Sequence, residues 1–399
     1  MAAANLGATR PAVDVAEAFL AATVGGEASA RSTRRRARFH TLEVAEVRPL
    51  TADSVEVTFA VPEDLVDEYD YLPGQYVALR KELEGHERRR SYSICRPPER
   101  SAGGTGSISV AIKRDLGGLF STWANAELKA GDTLDVMSPQ GTFTSTLADL
   151  DGRRVVGIAA GSGITPLMAL AHTVLARSDD STFELVYTNR STLDVMFLEE
   201  LADLKDRYPA RLAVHHVLSR EQRTAPLLSG RIDQQKLETM LDLLIRPETV
   251  DEWFLCGPFE LVQLARDTLE ARGVDARHIR YELFTTDADR VEPRHGRPVV
   301  IEQGEQTYAV EFTLDGQSST VESPVSANES ILNAALRVRP DVPFACAGGV
   351  CGTCRARVVD GSVRMTENYA LEPDELDAGY VLTCQSHPTS DRVVVDYDV

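Results

Sequence analysis

The chain has 399 residues, 43% of them hydrophobic and 26% charged, which is ordinary for globular protein and long enough for two or three domains that each bury a core. A formal net charge of −19 argues against duplex nucleic acid and anionic membrane surfaces as partners, because both ask for clustered Lys and Arg. No apolar run approaches a membrane span, and six cysteines in a chain without a secretory leader point to a reducing, cytoplasmic setting.

Residues 1–38 are rich in Ala, Gly, Ser and Arg, with a basic cluster at Arg31, Arg34, Arg35, Arg36 and Arg38. That composition reads as a tail without a fold of its own, or as a basic arm for an acidic partner. From 39 to 148 the pattern turns to short alternating runs, SVEVTFAV, YLPGQYVALR, SYSICR and GSISVAIKR, divided by Pro, Gly and Asp turns. Such spacing predicts an antiparallel β-barrel. On one of its strands stand Arg90, Tyr92 and Ser93: a cation to hold a phosphate, a ring to stack on a planar group and a hydroxyl to bond its edge. Any exposed strand would also bring an Arg and a Tyr to one face, so the triplet alone is a weak signal. Further on, Gly117 and Gly118 precede an amphipathic stretch with Ser121 in its first turn. A helix N-terminus behind two flexible residues attracts a pyrophosphate, although the same residues also make a plain turn.

Residues 149–286 alternate strand and helix, which predicts an open α/β sheet of parallel strands. Its first strand ends in Gly161-Ser-Gly163-Ile-Thr165-Pro166, where a dinucleotide pyrophosphate sits at the carboxyl edge of such a sheet, with Pro166 in place of a third glycine. The second strand ends in Asn189-Arg190-Ser191 and the third in Ser219-Arg220. Two Ser/Arg pairs with no carboxylate suit a 2′-phosphate and hence NADPH over NADH, unless both arginines are ordinary loop charges. Cys256-Gly257-Pro258 closes the last strand before the helix PFELVQLARDTLEARG. A small thiol at a strand's carboxyl end can lie against a nicotinamide ring, or can be a buried structural residue; Cys95 has only the second reading. YELF supplies Glu282 and Phe284 just before the pattern turns polar.

Residues 287–306 are charged, carry Pro293, Gly296 and Pro298, and read as a linker. The segment 307–399 holds a strand pair, a helix in NESILNAAL capped by Asn328, and a cysteine loop. Cys346, Cys351 and Cys354 stand at C-x4-C-x2-C spacing and Cys384 follows thirty residues later. Three thiolates from one tight loop and a fourth from a separate strand hold a 2Fe–2S cluster. Four cysteines also make structural zinc sites, but those pair two short knuckles, and only Cys351 and Cys354 form one. With 14 acidic and 6 basic residues, the segment 307–399 carries −8 and suits a partner whose docking face is basic.

With RSYS, GGLFS, GSGITP, CGP and the four cysteines in that order, residues 40–399 resemble the ferredoxin–NADP reductase superfamily fused to a C-terminal plant-type ferredoxin. Within it the run from Cys351 to Pro388 is similar to the reductase subunits of phenylacetyl-CoA epoxidases, multicomponent oxygenases of aerobic phenylacetate degradation. The resemblance implies a multidomain fold, FAD-binding β-barrel, NADP-binding α/β sheet and β-grasp-like ferredoxin. It implies FAD, with Arg90 near the flavin phosphate, Tyr92 stacked on the ring system, Ser93 near N5, and Gly117, Gly118 and Ser121 around the pyrophosphate. It implies Gly161, Gly163, Thr165, Gly257 and Pro258 around the pyridine nucleotide, Ser219 and Arg220 on its 2′-phosphate, and Cys256, Glu282 and Phe284 beside nicotinamide and flavin. Plant-type reductases end in an aromatic shield over the flavin, whereas this chain continues into another domain, which leaves the part of Phe284 open.

NADPH gives two electrons as a hydride and an iron–sulfur cluster takes one, so a flavin must stand between them. The expected function is therefore electron delivery from NADPH through FAD and the cluster to a separate oxygenase, expected to be di-iron epoxidase subunits. A reductase of a Rieske-type or steroid hydroxylase is the nearest alternative. A redox-sensing or structural iron–sulfur module on a flavoprotein is an alternative of another class.

Overall fold

In a computed structural model, residues 13–14, 37–98, 106–145, 150–284, 299–371 and 373–399 are described. Most of the expected tail and linker lies outside them. The chain divides into two compact units, one of residues 34–290 and one of residues 291–399 together with 1–33.

The first unit begins with strands β1 (Phe39–Thr51), β2 (Ser54–Val61), β3 (Tyr76–Leu83), β4 (His86–Ser93), β5 (Gly106–Lys113) and β6 (Thr133–Met137). They lie in the order β4-β3-β6-β1-β2-β5 with every pairing antiparallel. A bridge from Ile94, just past β4, to Val110 of β5 joins the two ends, so the sheet curls into the predicted barrel. Leu42, Val57, Phe59, Leu79 and Val110 fill it, and helix α1 (Leu119–Ala126) adds Phe120 and Ala124 to the same core. Arg38 already belongs to the barrel, since its main chain exchanges hydrogen bonds with Ser138.

The rest of this unit runs β7 (Arg154–Ala160), α2 (Ile164–Arg177), β8 (Thr182–Asn189), α3 (Leu198–Arg207), β9 (Leu212–Leu218), α4 (Gln234–Met240), β10 (Glu252–Gly257), α5 (Phe259–Ala271) and β11 (Ile279–Leu283). All five strands are parallel, in the order β9-β8-β7-β10-β11. Every residue of β10 is buried, as a strand covered on both faces requires. The winding reverses at β7, which puts a switch point at the carboxyl ends of β7 and its neighbours. Barrel and sheet are joined by charge as well as by packing. Glu56 of β2 is buried and accepts from Arg96 (2.5 and 2.7 Å) and Arg48 (2.5 and 3.2 Å), and both arginines also reach Glu200 on α3.

The second unit contains β12 (Thr307–Leu314), β13 (Gln317–Pro324), α6 (Ile331–Leu336), β14 (Arg355–Asp360), β15 (Val363–Met365), α7 (Pro373–Asp377), β16 (Tyr380–Leu382), β17 (Ser386–Pro388) and β18 (Arg392–Asp396). The main sheet has the order β13-β12-β18-β14-β16, with β12 parallel to β18 and the other pairs antiparallel, a β-grasp-like wrap around α6. The expected helix cap is corrected. Asn328 ends a 3-10 turn in the left-handed region (φ 44°), a conformation Asn tolerates, so the helix starts later and Ser330 caps it by accepting from the Asn333 N–H at 3.3 Å.

Candidate functional site

Cys256 of β10 stands in register with Glu282 of β11, both near the carboxyl ends of their strands. Ser93 ends β4 on the barrel side. Its hydroxyl donates to Glu282 Oε2 at 2.7 Å, and the Cys256 thiol faces the same oxygen at 3.9 Å. Ser93 and Cys256, from two separate motifs, thus share the carboxylate of Glu282 from a third. Burial, reinforced by that carboxylate, pushes the Cys256 thiol well up, so it is a neutral, polarizable group at neutral pH. Phe284 is half-buried; its N–H donates to the Gly257 carbonyl at 3.4 Å and its ring packs on the core of the parallel sheet.

The turn after β7 is pressed against the turn after β10. A Cβ at Gly163 would fall inside the Cys256 carbonyl and 2.9 Å from the Gly257 nitrogen, and one at Gly257 would lie 3.0 Å from the Ala160 Cβ. Only glycine permits that approach. Tyr187 is buried beneath and donates to the Gly161 carbonyl at 2.9 Å, while the Thr165 hydroxyl donates to Ser162 O at 3.0 Å. Tyr187 carried no sequence signal of this role; it reads as one more buried residue of β8.

On the barrel, strand alternation sets Arg90 and Tyr92 on one face and Ser93 on the other, so the triplet does not act from one side. Tyr92 lies 6.0 Å from the Phe120 ring at 34°. Gly117 has φ 82° and Gly118 is the N-cap of α1. The Ser121 hydroxyl is engaged within this loop, accepting from Asp115 N at 3.1 Å and donating to Gly118 O at 3.3 Å. The loop is therefore fixed by its own side chain at the start of α1.

At the other side of the switch point the ends of β8 and β9 run on together, Ser219 N donating to Asn189 O (2.9 Å) and Arg220 N to Arg190 O (2.7 Å). The expected freedom from carboxylates does not hold here. Arg190 pairs with Asp53 at 3.3 Å and closely with Asp194, Ser191 donates to Asp194 at 2.6 Å, and Glu221 accepts from both the N–H (2.6 Å) and hydroxyl (2.8 Å) of Thr192. Arg220 is exposed, and among the described residues no carboxylate pairs with it.

In the second unit, β14 starts directly after Cys354 and β16 ends just before Cys384. Their register, Arg355 opposite Leu382, sets the two cysteines side by side, and Thr383 fixes them by donating its N–H (3.1 Å) and hydroxyl (2.8 Å) to Cys354 O. The loop is folded by left-handed residues at Ala347 (φ 53°), Gly349 (φ 79°) and Gly352 (φ 69°). Main-chain N–H groups then aim at sulfur: Cys346 N and Thr353 N at Cys351 Sγ (3.4 and 3.5 Å), Gly348 N at Cys346 Sγ (3.4 Å). Gln385 ties the loop from outside through Ala347 O at 2.9 Å. Burial opposes ionisation of Cys351, but hydrogen bonds from Cys346, the Thr353 hydroxyl and these amides outweigh it and hold its thiol well below the ordinary value. The hydrogen bond to Cys351 followed by burial raises Cys346, and the hydrogen bond to Cys354 followed by burial raises Cys384. Four thiols this close cannot all ionise without cationic metal among them. Side-chain hydrogen bonds pair Cys346 with Cys351 and Cys384 with Cys354, and these four thiolates would hold a cluster of two irons. Donor set, amide cradle and pairing fit a 2Fe–2S cluster.

Comparisons with known proteins agree with this division. Residues 41–145 match the oxidoreductase FAD-binding domain family, residues 158–267 the oxidoreductase NAD-binding domain family, and residues 312–389 the 2Fe-2S iron-sulfur cluster binding domain family. The chain is 44% identical over 361 residues to a component of the 1,2-phenylacetyl-CoA epoxidase of Escherichia coli, covering 90% of this chain and 98% of that protein. It is 35% identical to the ferredoxin reductase component of 3-ketosteroid-9-alpha-monooxygenase from Mycolicibacterium smegmatis, covering 90% of this chain and 96% of that protein. Phthalate dioxygenase reductase shares the fold, with a TM-score of 0.51 at 22% identity over 90% of this chain and 98% of the other.

Proposed function

Because the chain belongs to the family of FAD- and NAD-binding reductases with a C-terminal 2Fe-2S domain, we propose that it is the NADPH-dependent reductase of a phenylacetyl-CoA epoxidase. The observation that carries the partner is the 44% identity across 98% of the epoxidase component. A steroid hydroxylase as partner is the second reading, favoured by the 35% relative.

FAD and the cluster supply, when bound, the conversion of a hydride into single electrons. What this chain supplies is position and proton control. Arg90, Tyr92 and the Gly117-Gly118 helix start hold the flavin; the Gly161–Gly163 and Cys256–Pro258 turns hold the pyridine nucleotide at the switch point. Cys256, kept neutral, gives the nicotinamide a polarizable wall without a competing charge. Glu282 accepts from the Ser93 hydroxyl, so the pair would carry away the proton that a hydride leaves behind once its two electrons have passed on singly. Ser219 and Arg220 take the 2′-phosphate. Cys346, Cys351, Cys354 and Cys384 hold the cluster, and the −8 charge of residues 307–399 guides docking to a basic face.

Anaerobic titration with NADPH, followed by visible absorbance and low-temperature EPR, tests the electron path. Flavin bleaching together with the EPR signal of a reduced cluster supports it; bleaching alone withdraws the relay. Cys351→Ser should bleach normally yet fail to reduce the oxygenase, and full turnover in that variant would sink the cluster's part. Reconstitution with the oxygenase components of an epoxidase or of a steroid hydroxylase separates the two partners.

A further inference from the structure

The adenosine end of the site is crossed by a charge cluster drawn from both halves of the first unit. Asp53 lies in the β1–β2 turn of the barrel, fixed by the Thr51 hydroxyl at 2.8 Å, and pairs with Lys113 Nζ at 2.9 Å. Its second oxygen reaches Arg190 at 3.3 Å, just past the end of β8, where Arg190 also pairs with Asp194. Burial works against both carboxylates, but Lys113 and Thr51 at Asp53, and Ser191 and Arg190 at Asp194, outweigh it, so both stay charged at neutral pH. Two cations thus face two anions. One residue along the neighbouring strand end, Arg220 is exposed and has no carboxylate against it among the described residues.

We infer that Asp53, a barrel residue, tunes the choice between NADPH and NADH by holding Arg190 out of 2′-phosphate recognition and leaving that contact to Ser219 and Arg220. The inference rests on the reading of the β8 and β9 ends as the adenosine site. A 2′-phosphate is distinguished from a 2′-hydroxyl by the cations that meet it. A guanidinium shared by two carboxylates has little charge left to offer, so each anion beside Arg190 lowers the preference for the phosphorylated cofactor. Half of the Arg190 side chain is exposed, so the ion pairs that hold it can be displaced once one partner is removed.

The test uses the full-length, flavin-loaded protein and compares kcat/KM for NADPH and NADH by anaerobic flavin bleaching. Asp53→Asn keeps the side chain's size and its bond to Thr51 while removing the charge. It should raise the NADPH:NADH ratio roughly two- to fivefold, the effect of one partly exposed ion pair, through KM for NADPH and with NADH constants unchanged. Adding Arg190→Gln should cancel the gain. An unchanged ratio, an equal change for both nucleotides, or a gain that survives in the double variant overturns the inference, the last because it would credit Lys113 instead. Should Asp53→Asn not fold, Asp194→Asn carries the same expectation. Arg220→Gln is the separate check: a fall in the ratio supports the adenosine-site reading whatever Asp53 does, and no fall removes that reading itself.

Discussion

Glu282 shows how little of a site's chemistry is visible in one residue. In the sequence it is a carboxylate in YELF; in space it accepts from Ser93 at 2.7 Å and faces the Cys256 thiol. Replacing it with Gln keeps a hydrogen bond to Ser93 but removes the proton acceptor. Glu282→Gln should slow re-oxidation of the reduced flavin by one-electron acceptors by about a hundredfold while FAD content is unchanged, at the low end of what a positioned acid–base group contributes. Stopped-flow absorbance decides it, and an unaltered rate would leave Glu282 a spectator. Cys95 supports its bland reading: it is fully buried, it donates to Ser109 O and faces Glu56, and burial with that carboxylate raises its thiol, so it is a packed neutral group.

Between elements, the contact of the β7 and β10 turns is the tightest statement the fold makes about this site. Gly163→Ala would drive a methyl group into the Cys256 carbonyl, which forces the turns apart at a cost of about 1–3 kcal/mol. The expected result is a raised KM for NADPH and a lowered melting temperature; a neutral variant would mean that the two turns are free to separate. The barrel and parallel sheet are tied by Glu56. Burial raises its carboxyl, but Arg96 and Arg48 outweigh that and hold it below the ordinary 4.5. A depressed carboxylate contributes stability that is present above its unfolded value and is lost as pH falls through the folded one. The melting temperature should therefore drop on acidification below about pH 4.5, and Glu56→Gln should be less stable at neutral pH and show a shallower acid dependence. An acid profile identical to that of the native chain would remove the network from the account.

At the scale of the molecule, net negative charge is denser in the C-terminal segment than over the chain as a whole. The second unit's segment 307–399 carries −8 of the chain's −19. If that charge guides docking, electron delivery to the oxygenase should slow as salt rises from low to physiological strength, because the screening length shrinks to about 8 Å. Single-turnover reduction of the partner at several salt concentrations measures this, and a flat profile would assign recognition to shape alone. Among the described residues no helix is long and apolar enough to cross a membrane.

Sequence by itself determined the modules and their cofactors, because each is encoded in local pattern: short alternating runs between turns for the FAD-binding barrel, strand–helix alternation for the NAD-binding sheet, and C-x4-C-x2-C for the 2Fe-2S domain. Register and alternation, also local, told that Arg90 and Tyr92 share a face. Tertiary structure alone decided which charges are free and which are committed. Asp53 and Arg190 are 137 positions apart and Ser93 and Glu282 are 189 apart, and nothing in either neighbourhood announces the other. The physical reason is that a hydrogen bond or ion pair depends on separation in space, within about 3 Å, whereas a motif depends on separation along the chain.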